Sequence, residues 1–281
     1  MLANFCVDQA EGLRRMLAGP KPRLLSLFSV LPEVDKSATL INLAASLVGT
    51  GNSVLLLDAQ AHAAGVSGRI KGAPRTSLAQ MARDQRPLDD ALHISATGFQ
   101  LAVLALPQHV DQDQIQRVNH AFDALALQND LVLVDADLSE DNRLPLAALA
   151  SSQLVVQVST AAADITAGYA LIKRLSIAFG RQEIGVLVSG ATEKQAQLVF
   201  HNMAQAASRY LALDLHDIGS VPVDEHINRA SRLGRSVIDA FPLAGSSIAF
   251  RRLAGRLTLT ELPLGKRSGL GKLSSLSSGA H

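Results

Sequence analysis

Lys36 and Ser37 are the residues of this chain best suited, by type and spacing, to handle phosphate. They follow an apolar, strand-like run (Leu24, Leu25, Leu27, Phe28) and open an amphipathic helical pattern (Leu40, Ile41, Leu43, Ala44, Leu47, Val48). Strand, tight turn and helix N-terminus form the setting in which a lysine and a hydroxyl meet a polyphosphate and its metal. The turn itself, Ser29-Val30-Leu31-Pro32-Glu33-Val34-Asp35, lacks the glycines that let backbone amides close around an anion. Pro32 has no N–H to donate. Glu33 and Asp35 add negative charge where bare backbone is needed. Two like charges about 5 Å apart, at an effective dielectric of roughly 20, repel by about 3 kcal/mol. That penalty weakens binding by about two orders of magnitude. The sequence therefore predicts poor binding of a nucleoside triphosphate.

A cation in a first helical turn opposes the helix dipole unless an anion lies beside it. For Lys36 that anion is either a nucleotide phosphate or the protein's own Glu33 or Asp35. The expectation taken forward is an internal carboxylate in the phosphate position, with Asp35 as the N-cap. Two further runs end in acids: Ser53-Val54-Leu55-Leu56-Leu57-Asp58-Ala59-Gln60 and Asp130-Leu131-Val132-Leu133-Val134-Asp135-Ala136-Asp137. Both read as buried parallel strands. An acid at a strand end is a candidate to organise Mg²⁺ or, equally, to cap the helix that follows.

Together, the turn and the two strands resemble the MinD/ParA group of deviant P-loop ATPases, the second strand standing as the Walker-B segment. Within it the chain is most similar to the FlhG group, also called FleN or YlxH. Asp8-Gln9-Ala10-Glu11-Gly12-Leu13-Arg14-Arg15 looks like the N-terminal DQA-x-x-LR element of those proteins. The likeness continues through Ile218-Gly219-Ser220-Val221-Pro222-Val223-Asp224 and Phe250-Arg251-Arg252-Leu253-Ala254. The family loop K-G-G-x-G-K-[ST] places its first lysine on Leu31 and its glycines on Pro32, Glu33 and Asp35, so only Lys36-Ser37 survives. That first lysine reaches across a dimer, and its loss argues against ATP-driven dimerisation. Gln60 stands where the family has its catalytic Asp, and Ser189 where it has an adenine-side Asn.

The resemblance implies a doubly wound, mostly parallel α/β sheet flanked by helices on both faces. It also implies a regulator of flagellar number and placement, acting on the signal-recognition-type flagellar GTPase FlhF. Asp8, Gln9, Ala10, Leu13, Arg14 and Met16 would contact that partner: Gln9 and Arg14 as polar contacts, Leu13 and Met16 as apolar anchors. Antagonism of a flagellar transcription activator is implied too. No cofactor is firmly expected. The alternative is a working ATPase switching between monomer and dimer, with Lys36, Ser37, Asp58 and Asp135 as a reduced nucleotide site, Ser37 and Asp135 on Mg²⁺, and Gln60 holding water.

Bulk composition narrows the remaining classes. The chain has 281 residues and 48% apolar content, enough for one α/β core. Aromatic residues make up 4% with no Trp, which argues against a base-stacking platform. Lys+Arg 26 against Asp+Glu 25 leaves +1, no overall footprint for a polyanion, so no specific nucleic-acid partner is expected. From Arg229 onward, however, Arg229, Arg232, Arg235, Arg251, Arg252, Arg256, Lys266, Arg267 and Lys272 face only Asp239 and Glu261. A solvated face of two terminal helices is the favoured reading; an acidic partner, a membrane surface or a nucleoid tether is the other. Cys6 is the single cysteine, consistent with a reducing cytoplasm; a place at the pole or peripheral at the inner membrane is what the resemblance implies. The eight His show no metal-ligand spacing. No stretch is long and apolar enough to span a bilayer. The N-terminus carries Asp8 and Glu11 in place of an apolar signal core.

Three segments are expected: 1–22, a partner-binding helix and tether; 23–262, the α/β domain; and 263–281, a flexible basic tail with weak or no membrane affinity. Asp8 and Glu11 have capping-box spacing, and Gly19-Pro20-Lys21-Pro22 stops that first helix. Strands are expected at 23–30, 53–58, 99–106, 130–135, 153–158, 183–189 and 214–221. Helices are expected at 36–50, 114–127, 164–179, 194–211 and 247–259.

Overall fold

The computed structural model describes residues 21–60, 65–107, 110–180 and 183–259. Of the expected partner-binding helix and tether at 1–22, residues 1–20 lie outside the described residues, as does the expected tail at 263–281. Within them, eight strands form one sheet: β1 (Arg23–Ser29), β2 (Val54–Asp58), β3 (Leu92–Ile94), β4 (Gln100–Val103), β5 (Leu131–Asp135), β6 (Gln153–Val158), β7 (Ile184–Ser189) and β8 (Leu215–Val221). Their order is β3-β4-β2-β5-β1-β6-β7-β8. β3 pairs antiparallel with β4, and every other pair is parallel.

The sequence of the central strands explains this. β2 (VLLLD) and β5 (LVLVD) are buried at every position, as continuous apolar runs must be when both sheet faces are covered. Helices supply the cover: α1 (Glu33–Gly49), α2 (Leu78–Asp84), α3 (Gln112–Ala126), α4 (Ala162–Phe179), α5 (Glu193–Leu211), α6 (Glu225–Arg232), α7 (Val237–Ala240) and α8 (Gly245–Leu259). Period-2 alternation divides the strand side chains between two cores. Leu25, Leu27, Leu56 and Leu133 join Leu40, Leu43 and Leu47 of α1 and Phe250, Leu253 and Leu257 of α8. Phe28, Leu55, Leu57, Val132 and Val134 pack with Val118 and Phe122 of α3, Ile172 of α4 and Met203 of α5. The doubly wound architecture expected from sequence is the one observed.

The first helix corrects the expected boundary. It begins at Glu33, three residues before Lys36, with Pro32 at the N-cap position and no side-chain cap. Asp35 is therefore not the N-cap. It lies inside the first turn, its amide donating to Pro32 O at 2.9 Å, and its side chain is exposed. Proline suits a helix start because its φ is already fixed near −65°. Glu33 and Asp35 then complement the positive end of the dipole. The last three residues read as a phosphate turn, Glu33, Val34 and Asp35, are helix.

Candidate functional site

Register brings the site together at the carboxyl edge of the sheet. Asp58 of β2 lies opposite Asp135 of β5, and Asp135 opposite Leu27 of β1. The first turns of α1 sit directly beyond them. Lys36 is buried there, and its Nζ lies 2.6 Å from Asp135 Oδ1. The same ammonium donates to Ala136 O at 2.8 Å and reaches the half-exposed Asp137 at 3.4 Å. So Lys36 does meet internal carboxylates, but they are Asp135 and Asp137, a hundred residues along the chain. Glu33 and Asp35 make no ion pair with it within 4 Å.

Glu33 has another role. One of its oxygens accepts from the Ser37 hydroxyl at 3.2 Å and the other from Gln60 Nε2 at 3.0 Å. Gln60 Nε2 also approaches Asp135 Oδ1 at 3.0 Å. Burial, then the neighbouring Asp135 carboxylate, pushes the Glu33 carboxyl above its ordinary value, against the opposing pull of Lys36 and these donors.

The segment after β2 closes over the acids. The Val66 amide donates to Asp135 Oδ2 at 2.9 Å, at the start of a 3₁₀ turn (Val66–Arg69). Ser67 donates to Asp58 through its amide at 2.9 Å and through its hydroxyl, and the Gln60 amide reaches Asp58 at 3.2 Å. Burial raises the Asp58 carboxyl, with the Ser67 hydrogen bonds opposing. Gly65 is required at this approach: a Cβ there would collide with the Asp58 carboxylate.

All five residues singled out from sequence for this edge thus converge: Lys36, Ser37, Asp58, Gln60 and Asp135. What the arrangement does chemically is bind itself. Asp135, with no exposed surface, accepts from Lys36, Gln60 and Val66, which is three of the roughly four sites a carboxylate offers. Of the two residues expected on Mg²⁺, Ser37 donates its hydroxyl to Glu33, and Asp135 has the Lys36 ammonium beside it. Among the described residues, no group of three His, Cys, Asp or Glu is arranged to hold a metal ion.

Ser189 lies at the end of β7, where its hydroxyl accepts from Gln157 Nε2 at 2.8 Å. Gln157 is a participant that sequence reasoning missed. Fully buried in β6, it also donates to Thr39 of α1 at 2.9 Å and so ties α1 to β7. The amide of Gln157, interrupting the apolar residues that follow Gln153 in QLVVQV, was the available signal. The segment at 8–16 expected to hold a partner lies outside the described residues. The arginines of α6 and α8 are largely engaged within the protein: Arg229 with Glu225, Arg252 with Glu193, and Arg251 with Pro242 O. No helix among the described residues is long and apolar enough to cross a membrane.

No protein-family model matches the chain. Antiactivator FleN of Pseudomonas aeruginosa is 27% identical over 242 residues, covering 84% of this chain and 86% of that one. A shorter likeness, 39% over 66 residues, is to the succinoglycan biosynthesis transport protein ExoP of Rhizobium meliloti; it covers 24% of this chain and 8% of that protein. Among solved structures, MinD in the MinC:MinD cell division complex of Aquifex aeolicus superposes with a TM-score of 0.65 at 18% identity, covering 87% of this chain and 99% of that one. MinD of Pyrococcus horikoshii with Mg-ADP gives 0.62 at 18% identity, covering 84% and 96%. At that identity the structures speak for the fold. Along most of both chains, then, this chain is similar to a FleN antiactivator, and its sheet has the fold of the MinD and ParA structures.

Proposed function

We propose that the chain is an FlhG-type regulator of flagellar number and placement that works through protein contacts, with the nucleotide cycle of its fold disabled. The observation that carries this reading is the self-occupied cluster in which Asp135 is held by Lys36, Gln60 and Val66 while Glu33 sits on the Ser37 hydroxyl. A Mg²⁺–triphosphate does not fit these residues as they stand. It would meet the Glu33 carboxylate at the hydroxyl it needs, a proline in place of an amide, and an aspartate that already accepts from three donors. No chemical step is derived through it.

In this reading the partner is FlhF, engaged by Asp8, Gln9, Ala10, Leu13, Arg14 and Met16 on the segment preceding the α/β domain. The likeness to an antiactivator supports a flagellar transcription activator as a second partner. The place of action is the cytoplasm, at the pole or at the inner membrane surface. The second reading, a working ATPase, is favoured by the convergence of Lys36, Ser37, Asp58 and Asp135 at one edge. GTP turnover by purified FlhF, with and without the full chain, tests the proposal. Stimulation without added ATP, lost in Leu13→Asp, supports it; no stimulation, or stimulation only with ATP, overturns it.

A further inference from the structure

A cavity of about 280 Å³ opens beside the cluster, between α1, the strap at 69–71, the loop after β3 and the α6–α7 turn. Val34, Ala38 and Ile41 line it from a face of α1 turned away from Lys36. Ile70, Phe99 and Ile227 complete an apolar floor. Asn42 fixes one wall: its Oδ1 accepts from the Val237 amide at 2.7 Å, pinning the start of α7 to α1.

The mouth is basic. Arg235 is engaged by Asp239 at 2.6 Å, but Arg69 and Lys71 pair with no acid among the described residues. Both are exposed at the rim. The stem of Lys71 crosses the α6–α7 turn over Gly234, where φ is 66° and a Cβ would stand 3.1 Å from Lys71 Cε. Glycine there meets the left-handed backbone and leaves room for the lysine. An apolar concavity of this size class, with a few convergent charges at one end, is the usual form of a small-ligand site.

We propose that this groove binds a small amphipathic organic anion. An aromatic or alkyl body lies on Ile41, Ile70, Phe99 and Ile227, and a carboxylate, sulfonate or phosphate head is held by Arg69 and Lys71. This site is separate from the lysine–carboxylate cluster and stands whether or not nucleotide binds there.

The test is fluorescence titration of the full chain with 8-anilinonaphthalene-1-sulfonate. The expected result is one saturable site, weakened roughly tenfold by Arg69→Ala with Lys71→Ala and removed by Ser231→Trp, which fills the groove from an exposed position. The uncharged analogue N-phenyl-1-naphthylamine is expected to bind wild type and the double variant alike, showing that the variant keeps its fold and lacks only the anion contact. Competition by decanoate or decyl phosphate supports the site and assigns its head group. Binding unchanged in the double variant, retained in Ser231→Trp, or displaced only by an acidic Glu/Leu helical peptide overturns it.

Discussion

Lys36 Nζ stands 2.6 Å from Asp135 Oδ1, with 2% and 0% of the two side chains exposed. A lysine at this place in a phosphate-binding fold would reach outward to an anion in the crevice. Here it turns inward and neutralises the acid at the end of β5, with Ala136 O as a further acceptor. The pair holds α1 against the sheet edge.

Breaking that pair should cost stability. Lys36→Met leaves Asp135 buried with its charge uncompensated, and losing one partner of a buried pair typically costs about 3–5 kcal/mol. Urea denaturation is expected to show that loss, and Lys36→Met with Asp135→Leu should recover much of it. Unchanged stability in the single variant would mean the lysine is held for a ligand.

The raised Glu33 carboxyl sets a pH dependence of definite sign. A carboxyl with a higher pKa folded than unfolded favours the proton in the fold. Its penalty is absent below its ordinary value of 4.5, develops as pH rises through that value, and is complete above the folded one. Asp58, raised from 3.8, acts in the same direction. Glu33→Gln is therefore expected to shift the urea midpoint upward at about pH 7 and to match wild type near about pH 4. A downward shift at neutral pH would show that Glu33 must be charged to hold Ser37 and Gln60.

Asp224 works in the opposite sense. Burial pushes its carboxyl up, but the Ser246 and His226 amides and the Ser246 hydroxyl outweigh this and hold it well below the usual carboxylate range. One side chain thereby caps both α6 and α8. Asp224→Ala should cost about 2 kcal/mol at neutral pH, near the upper end for a lost cap. That stabilisation is complete above the ordinary value of 3.8 and is lost as pH falls through the depressed one, so the deficit should shrink in strong acid. Denaturation midpoints at neutral and strongly acidic pH measure it.

Most of the sheet was legible because buried parallel strands carry their signal locally. The run at 153–158 was read to the residue, and 54–58, 131–135, 184–189 and 215–221 to within one. The apolar run at 99–106 overshot: the ladder ends at Val103, and the chain turns away through Ala105 at φ 43. β3 was missed because three residues at an antiparallel edge have no periodicity to read. α2, α6 and α7 were missed because four to eight residues barely complete two turns, although Ser77 and Gln80 form a capping box that sequence could have offered. In the site, residue types were legible and pairings were not. Lys36 was matched to acids one and three residues away, whereas strand register delivers Asp135 from the far half of the chain.

Isothermal titration of the full chain with ATP and Mg²⁺ bears most directly on whether this edge of the sheet is closed on itself. A self-occupied cluster predicts no saturable heat up to about 1 mM ligand, with no phosphate released. Micromolar binding accompanied by turnover that Lys36→Met abolishes would contradict it.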